Sequence, residues 1–590
     1  MLKLLKNFSK KDWILIFICI VLVATGVWLD LKLPDYMRAI TVLVESDNTK
    51  ISLVVEQGFY MLICAFFSLL TAVVVGYLST LISATLSKTI RKKLFDKIES
   101  FGIEEIDKFS TSSLITRTTN DITNIQMLIS MGLQLIIKAP IMIVWAILKI
   151  LNKNFTWSVI TAGFTVVMIL VVIILMILVF PRFKIVQKLI DNLNNMAREN
   201  LTGVRVVHAF NAEKYQEEKF DKANNDLTNV QLFTQRVMAI FSPFIYLIMN
   251  LLSLTIYFTG AKLINGALLQ DKITLFGDMV VFSTYAMQII ISILMLAMIF
   301  IMYPRASVSA GRINEVLNTK TKIKNGSFDG KTKKKGVVEF KHVYFKYPES
   351  DEYALSDISF VAQPKEVVAF IGSCGSGKST LINLIPRFYD VSKGEVLVDG
   401  INVKDYKLKA LNEKLGYISQ KPAIFNGGVN YNVAFGKYLS DEEVMDALDI
   451  AQAKEFVLKM KDKYDSNIAS GGVNISGGQK QRISVARAIA RKPEIYIFDD
   501  SFSALDYKTD YNLRKALKDK MGDATCLIVA QRISTIKNAD KIIVLDNGKV
   551  AGIGSHKDLL KTCEVYKEIV KSQVFEGGDV KWKNMDLLRW

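Results

Sequence analysis

The sequence predicts a two-part fold: an α-helical membrane domain with six transmembrane helices, followed by an α/β domain built to hold phosphate. Three observations carry this. Long charge-free apolar runs crowd the N-terminal half. Beyond residue 335 short Val/Ile-rich strands alternate with helical stretches. A glycine-rich loop, Gly372-Ser373-Cys374-Gly375-Ser376-Gly377-Lys378-Ser379, follows one of those strands.

Hydrophobic residues make up 51% of the 590-residue chain, and the mean hydropathy of +0.26 is high for a soluble protein. The apolar runs are 13–29, 57–87, 122–137 (continuing past Lys138 to Leu148), 155–181, 237–261 and 279–304. A helix needs about 20 mostly apolar residues to cross the hydrocarbon, so the second, fourth, fifth and sixth runs suffice outright. The first reaches that length by continuing through Pro34 toward Ile40, a proline that neighbouring helices can accommodate. The third is interrupted by Lys138, an internal charge expected to be functional, paired, or snorkelling to an interface.

Lys and Arg number 74 against 57 Asp and Glu, a net charge of +17. Such an excess suits nucleic acid or an anionic membrane face, and the apolar runs select the membrane, with no nucleic-acid partner. The loops 88–121 and 182–236 are long, polar and helix-patterned. They open with Arg91, Lys92, Lys93 and Lys97, and with Arg182, Lys184 and Lys188, while the N-terminus carries Lys3, Lys6, Lys10 and Lys11. The positive-inside rule places all of these in the cytoplasm, and both termini with them. Five scattered cysteines show no metal spacing and predict no disulfide. No small-residue cleavage site follows the first run, so it reads as a retained helix. The expected organisation is a membrane domain over 1–320, a linker over 321–335 ending in Lys331-Thr332-Lys333-Lys334-Lys335, a nucleotide domain over 336–575 and a tail over 576–590.

The loop at 372–379 fits the phosphate-loop pattern G-x4-G-K-[ST], between an apolar strand and a helix. Its glycines let backbone N–H groups turn toward phosphate. Lys378 would reach the β- and γ-phosphates of ATP, Ser379 would ligate Mg²⁺, and Thr380 continues the nucleotide-binding set into the helix. Asp499, ending the apolar strand 495–498, is the matching acid for the Mg²⁺ shell. Cys374 is a small side chain whose practical consequence is sensitivity of nucleotide binding to thiol reagents.

Asn474-Ile475-Ser476-Gly477-Gly478-Gln479-Lys480-Gln481-Arg482, shortly before Asp499, resembles the signature sequence of ATP-binding-cassette (ABC) proteins. Other positions align with it. Tyr347 resembles the aromatic that stacks on adenine, Gln420 the lid glutamine that also reaches Mg²⁺, and Asp506 the residue reaching across a cassette dimer. In the membrane half Glu199-Asn200-Leu201-Thr202-Gly203-Val204-Arg205-Val206-Val207 resembles the second coupling segment of exporters, and 110–121 the first. The resemblance implies a type I exporter (type IV ABC) fold, multi-pass in the cell membrane, with ATP and Mg²⁺ as cofactors.

Three departures qualify it. Asp500 stands where the family carries a catalytic glutamate, Gln531 where it carries a switch histidine, and Ala469-Ser470 where exporters carry an acid. A correctly placed general base contributes roughly 10²–10⁴ in rate, and Asp500 is one methylene short. The resemblance therefore implies the degenerate-site subunit of a heterodimeric bacterial multidrug-type exporter, weakly active without its partner. That partner would be a homologous half-transporter carrying the glutamate, and this chain's Ser476, Gly477, Gly478 and Gln479 would complete its active site. The expected substrate is a small hydrophobic or amphiphilic compound, with membrane lipid around the spans. A lipid or peptide exporter, and an ATP-gated channel or regulatory subunit, remain open on the same scaffold. Met, Phe and Tyr residues of spans five and six, among them Phe244, Tyr246, Met279, Phe282 and Tyr285, either line a substrate path or face lipid and other helices.

Overall fold

A computed structural model describes residues 2–45, 50–151, 154–348, 350–520 and 523–575. The expected tail, 576–590, lies outside the described residues. The chain divides into two compact units: Met1–Glu99 with Ser110–Thr319, and Ser100–Phe109 with the chain from Lys320 onward.

In the first unit, six helices among the described residues are long and apolar enough to cross a membrane. They are Lys10–Glu45, Ile51–Glu99, Asn120–Leu151, Phe155–Thr202, Glu213–Asn265 and Leu269–Asn318. Each except the second contains an internal proline: Pro34, Pro140, Pro181, Pro243 and Pro304. Helices one, two, three and six pack on one another, and helix four packs chiefly on five.

The charges that shortened the first and third apolar runs are paired. Lys138 Nζ lies 3.0 Å from Asp30 Oδ2, and Asp30 also accepts from the Ser68 hydroxyl. Lys149 Nζ lies 2.5 Å from Asp35, whose other oxygen accepts from Tyr285 Oη at 2.8 Å. Arg38 pairs with Asp278, Nη2 to Oδ2 at 3.3 Å. A lone charge at the centre of a spanning helix costs about 2.5–3.5 kcal/mol on insertion scales, and pairing offsets much of this. Met279, Phe282 and Tyr285 are buried against other helices, whereas Phe244, Tyr246 and Met298 are exposed. The Met/aromatic set therefore splits between core and surface.

The second unit carries twelve strands among the described residues: β1 (Val338–Phe345), β2 (Leu355–Ala362), β3 (Val367–Gly372), β4 (Lys393–Val398), β5 (Ile401–Asn402), β6 (Leu415–Ile418), β7 (Gly427–Gly428), β8 (Asn467–Ile468), β9 (Ile495–Asp499), β10 (Thr525–Val529), β11 (Lys541–Asp546) and β12 (Lys549–Gly554). β2-β1-β4-β5 form one antiparallel sheet. The central sheet has the order β12-β11-β3-β10-β9-β6 and is parallel from β11 to β6. Parallel sheets are covered on both faces, which explains the unbroken apolar strands. Along β9, Tyr496 and Phe498 enter one core cluster while Ile495 and Ile497 enter the other. Register sets Val529 beside both Asp499 and Phe370, and Ile418 beside Phe498. The C-terminal ends of β3, β6, β9 and β10 thus share one edge of the sheet.

Two segments differ from the sequence expectation. The stretch 321–335 is bonded into the cassette rather than left as a bare connector. Gly326 N donates to Tyr406 O and Phe328 N to Asp405 O, both at 2.9 Å, and the Lys414 ammonium gathers Asp399 and Glu494 at 2.8 Å and Thr332 at 3.1 Å. Composition could not show this, because several of these bonds are made by backbone. The unit boundary is shifted into the first long loop: Ser100–Phe109 belongs to the cassette unit, and 110–121, likened to a first coupling segment, to the membrane unit. Glu105 explains the shift: one of its oxygens accepts from Gly102 N at the start of helix Ile103–Phe109, the other from Lys322 N, each at 2.9 Å. Helix Thr111–Thr118 instead belongs to the membrane unit, where Arg117 Nη1 lies 2.8 Å from Glu315. The expected second coupling segment runs through Gly203 into helix Val204–Ala209, which buries no residue within this chain.

Candidate nucleotide site

β3 delivers the phosphate loop from a strand whose central residues, Val368 to Ile371, are buried, so the loop's root is fixed by the core. Gly375 and Gly377 adopt φ of 82° and 94°, the left-handed region that favours glycine. Gly372 is needed for space: a Cβ there would lie 2.1 Å from Leu545 O. Ser376 N closes the turn on Ser373 O at 3.2 Å. Lys378 Nζ folds over the loop, donating to Gly372 O at 2.9 Å, Ser373 O at 2.7 Å and Ser376 Oγ at 3.3 Å. These acceptors are neutral, so the ammonium keeps its charge available to phosphate. Burial pushes its pKa down, opposed by Cys374, Asp500 and Asp499.

Ser379 Oγ donates to Asp499 Oδ1 at 2.8 Å. Burial raises the Asp499 carboxyl above its ordinary range, against that hydrogen bond and the Lys378 charge. A buried carboxylate beside a hydroxyl is an oxygen donor set suited to Mg²⁺. Thr380 Oγ1 shares a hydrogen bond of 2.9 Å with Tyr347 Oη, and the Tyr347 ring packs edge-on against Phe345 and Tyr389. Cys374 is exposed.

Asp500 follows β9 with φ of 46°, a left-handed conformation that aspartate tolerates better than most residues. Its Oδ2 accepts from Gln531 Nε2 at 2.8 Å and from Gln420 Nε2 at 3.4 Å. The departures from the family pattern at 500 and 531 therefore touch each other, together with the lid glutamine. Burial raises the Asp500 pKa, against Gln420, Ser503, Lys378 and Arg532.

Ser476 caps the fourteen-residue helix Gly477–Ala490. Its Oγ accepts from Gln479 N at 3.3 Å while Gln479 Oε1 accepts from Ser476 N at 2.8 Å, a reciprocal capping box. Ser476 and Gly477 are exposed, and a Cβ at Gly477 would meet open space. Gly478 is closer to its surroundings, with a Cβ there 3.3 Å from Ala504 O. Among the described residues these four share no hydrogen bond with the phosphate loop. Asp506 caps the next helix, accepting from Thr509 N at 3.0 Å.

The sequence profile of the ABC transporter transmembrane region matches residues 15–319, and that of the ABC transporter cassette matches 355–503. The chain belongs to the ABC transporter family. An ABC transporter ATP-binding protein of Mycobacterium tuberculosis is 38% identical over 88% of this chain and 89% of its own length. A multidrug resistance ABC transporter ATP-binding and permease protein of Lactococcus lactis is 31% identical over 86% and 85%. An ATP-dependent lipid A-core flippase of Pseudomonas aeruginosa is 32% identical over 81% and 78%. The fold matches the structure of a bacterial Atm1-family ABC exporter with ATP bound, with a TM-score of 0.80, 23% identity, and 97% and 99% of the two chains covered. This transporter thus has the fold of an ABC exporter and a multi-pass membrane architecture, with a cassette of the ATP-binding and ATP-hydrolysing class.

Reading the transporter's sequence missed two sets of residues. Asp30, Asp35 and Lys149 lie just beyond the charge-free runs, where opposite charges in neighbouring spans signal a pair. Glu104 and Glu105 gave no motif at all; their part appears only where Lys322 meets them.

Proposed function

We propose that this chain is the degenerate-site half of a heterodimeric exporter in the bacterial cytoplasmic membrane. The observation that carries the reading is the contact of Gln531 and Gln420 with the short Asp500 carboxylate. A general base needs a lone pair aimed at the attacking water. Here one carboxylate oxygen is taken up by two amides, and the side chain is a methylene shorter than glutamate. The phosphate-holding groups are unaffected: Lys378 and the loop amides would hold the phosphates, while Ser379, Asp499 and Gln420 would hold Mg²⁺, which neutralises phosphate charge. Tyr347 would pack on adenine.

Ser476 and Gly477 are exposed, Gly478 and Gln479 half-buried, and among the described residues the capping box ties Ser476 to Gln479 within their own helix, as suits a phosphate-facing edge offered to a second chain. Asp506 would act at the same junction. The partner is a homologous half-transporter bearing the glutamate, and hydrolysis there drives export of a hydrophobic or amphiphilic compound. The multidrug name of the Lactococcus relative supports that substrate class, and the flippase name of the Pseudomonas relative supports a lipid as second reading. ATP binding biases the inward- and outward-facing states only through its differential affinity for them.

The test is steady-state ATPase of the purified chain with and without its co-purified partner, followed by uptake of dyes and fluorescent lipids into sealed inverted vesicles. Slow turnover alone, fast turnover as a pair and hydrolysis-dependent uptake are expected. Rapid hydrolysis by the chain alone overturns the heterodimer. ATP binding with no accumulation of any substrate would favour a channel or regulatory subunit.

A further inference from the structure

The helix Glu564–Phe575 closes the described part of the cassette. Its apolar face is anchored without any help from Gln573. Tyr566 is fully buried in the core, Ile569 and Val570 pack against that core, and Tyr566 Oη shares a hydrogen bond of 2.7 Å with His556 Nδ1. Gln573, two turns further on, does something different. Its Nε2 donates to Gln531 O at 2.7 Å, and its Oε1 accepts from Ile533 N at 2.8 Å.

One amide side chain therefore brackets the backbone on both sides of Arg532. The short helix Ile533–Ile536 starts at Arg532 with no side-chain cap of its own. An uncapped first turn leaves N–H groups unsatisfied. Gln573 supplies the acceptor for Ile533 N from another element, while its donor end fixes the carbonyl of the residue whose side chain reaches Asp500. The continuous path runs from Gln573 through the Gln531 backbone to the Gln531 amide, Asp500 and Gln420.

We propose that Gln573 is a positioning residue of the nucleotide site: through the Gln531 backbone it sets where the Gln531 side chain sits at the γ-phosphate end of the pocket. A purely structural cap would stabilise the C-terminal helix and leave nucleotide discrimination alone. The two roles separate in the ratio of ATP to ADP affinity, because with nucleotide on this chain's phosphate loop the γ-phosphate would be the group facing Asp500 and Gln531. The proposal takes from the preceding reading only that nucleotide sits on this chain's own phosphate loop. It holds whether the partner is a different chain or a second copy.

The experiment measures MgATP and MgADP dissociation constants for the full chain in detergent or nanodiscs. It compares wild type, Gln531→Ala, Gln573→Leu, the double variant and Gln573→Glu. Losing a hydrogen bond of this kind shifts an equilibrium by about 3- to 10-fold. Gln573→Leu should narrow the ATP-over-ADP preference by that factor, in the same direction as Gln531→Ala, with ADP affinity within about twofold of wild type. The double variant should go no further than Gln531→Ala, since both act through one side chain. Gln573→Glu keeps the acceptor for Ile533 N and loses the donor to Gln531 O, so it should fall between. Equal losses for ATP and ADP, or additive effects in the double variant, overturn the proposal. Should Gln573→Leu not fold, Gln573→Glu alone decides by the same ratio.

Discussion

The two units put charge to opposite uses. In the membrane unit each of Asp30, Asp35 and Arg38 has an oppositely charged partner on a neighbouring helix. In the cassette, Lys378 is held by neutral acceptors, and Asp500 accepts from neutral amides. Surrounded by hydrocarbon, a charge must be cancelled by the protein itself. At the edge of a parallel sheet it can be kept for a ligand that brings its own charge. The groups of the candidate nucleotide site therefore have neutral partners and these charges of the membrane unit have opposite ones, and each kind is broken by a different mutation.

The largest expected effect lies at the exposed signature. Ser476→Ala or Gly478→Asp in the reconstituted pair should lower steady-state ATPase by about 10²–10³, the cost of losing a preorganised donor to developing phosphate charge. Lys378→Ala, which weakens only the site proposed to be slow, should leave appreciable activity. A dead lysine variant beside near-normal signature variants would mean the sites are assigned to the wrong chains.

Next comes repair of the site itself. A correctly placed base is worth roughly 10²–10⁴ in rate. Asp500→Glu with Gln531→His should recover at least tenfold of this in single-turnover hydrolysis at this chain's site. No gain at all would show that other residues also disable it.

Breaking a membrane pair should cost stability rather than catalysis. Asp30→Asn or Lys138→Met alone leaves one charge unmatched and should lower the melting temperature of the solubilised chain, whereas the double variant should recover most of the loss. The pair is partly open, so each single loss should stay below the roughly 3–5 kcal/mol of a fully buried pair. Equal melting temperatures in all three variants would deny the pair any part in holding the first helix to the third.

The smallest effect concerns His556, whose pKa is lowered by burial and by Lys537. A lowered folded-state pKa means the unfolded chain binds the proton more readily. The stabilisation is complete above the unfolded value of about 6.5 and fades as pH falls through the folded one. Thermal unfolding between pH 7.5 and 5.5 should show this loss, and His556→Gln should flatten the profile. An unchanged slope would remove His556 as its source.

Sequence alone determined the order of the parts and which residues make up the candidate nucleotide site, because both are written locally. Apolar runs of spanning length need no tertiary partner to be recognised, and a loop such as 372–379 carries its glycines, lysine and serine within eight consecutive positions. Asp500 and Gln531 stood out singly, as departures from a pattern. Only the tertiary structure decided that these two touch, because parallel pairing of β9 with β10 brings the ends of distant strands to one edge. It likewise decided that Lys138 meets Asp30, that Glu105 ties Ser100–Phe109 to Lys322, and that Gln573 reaches back to Gln531. Each of these is a single polar contact between residues far apart in sequence. Lys138 stands out in the sequence as a charge inside a span, whereas Glu105 and Gln573 look the same as side chains exposed to solvent, and for all three only the packing of the elements that carry them selects the partner.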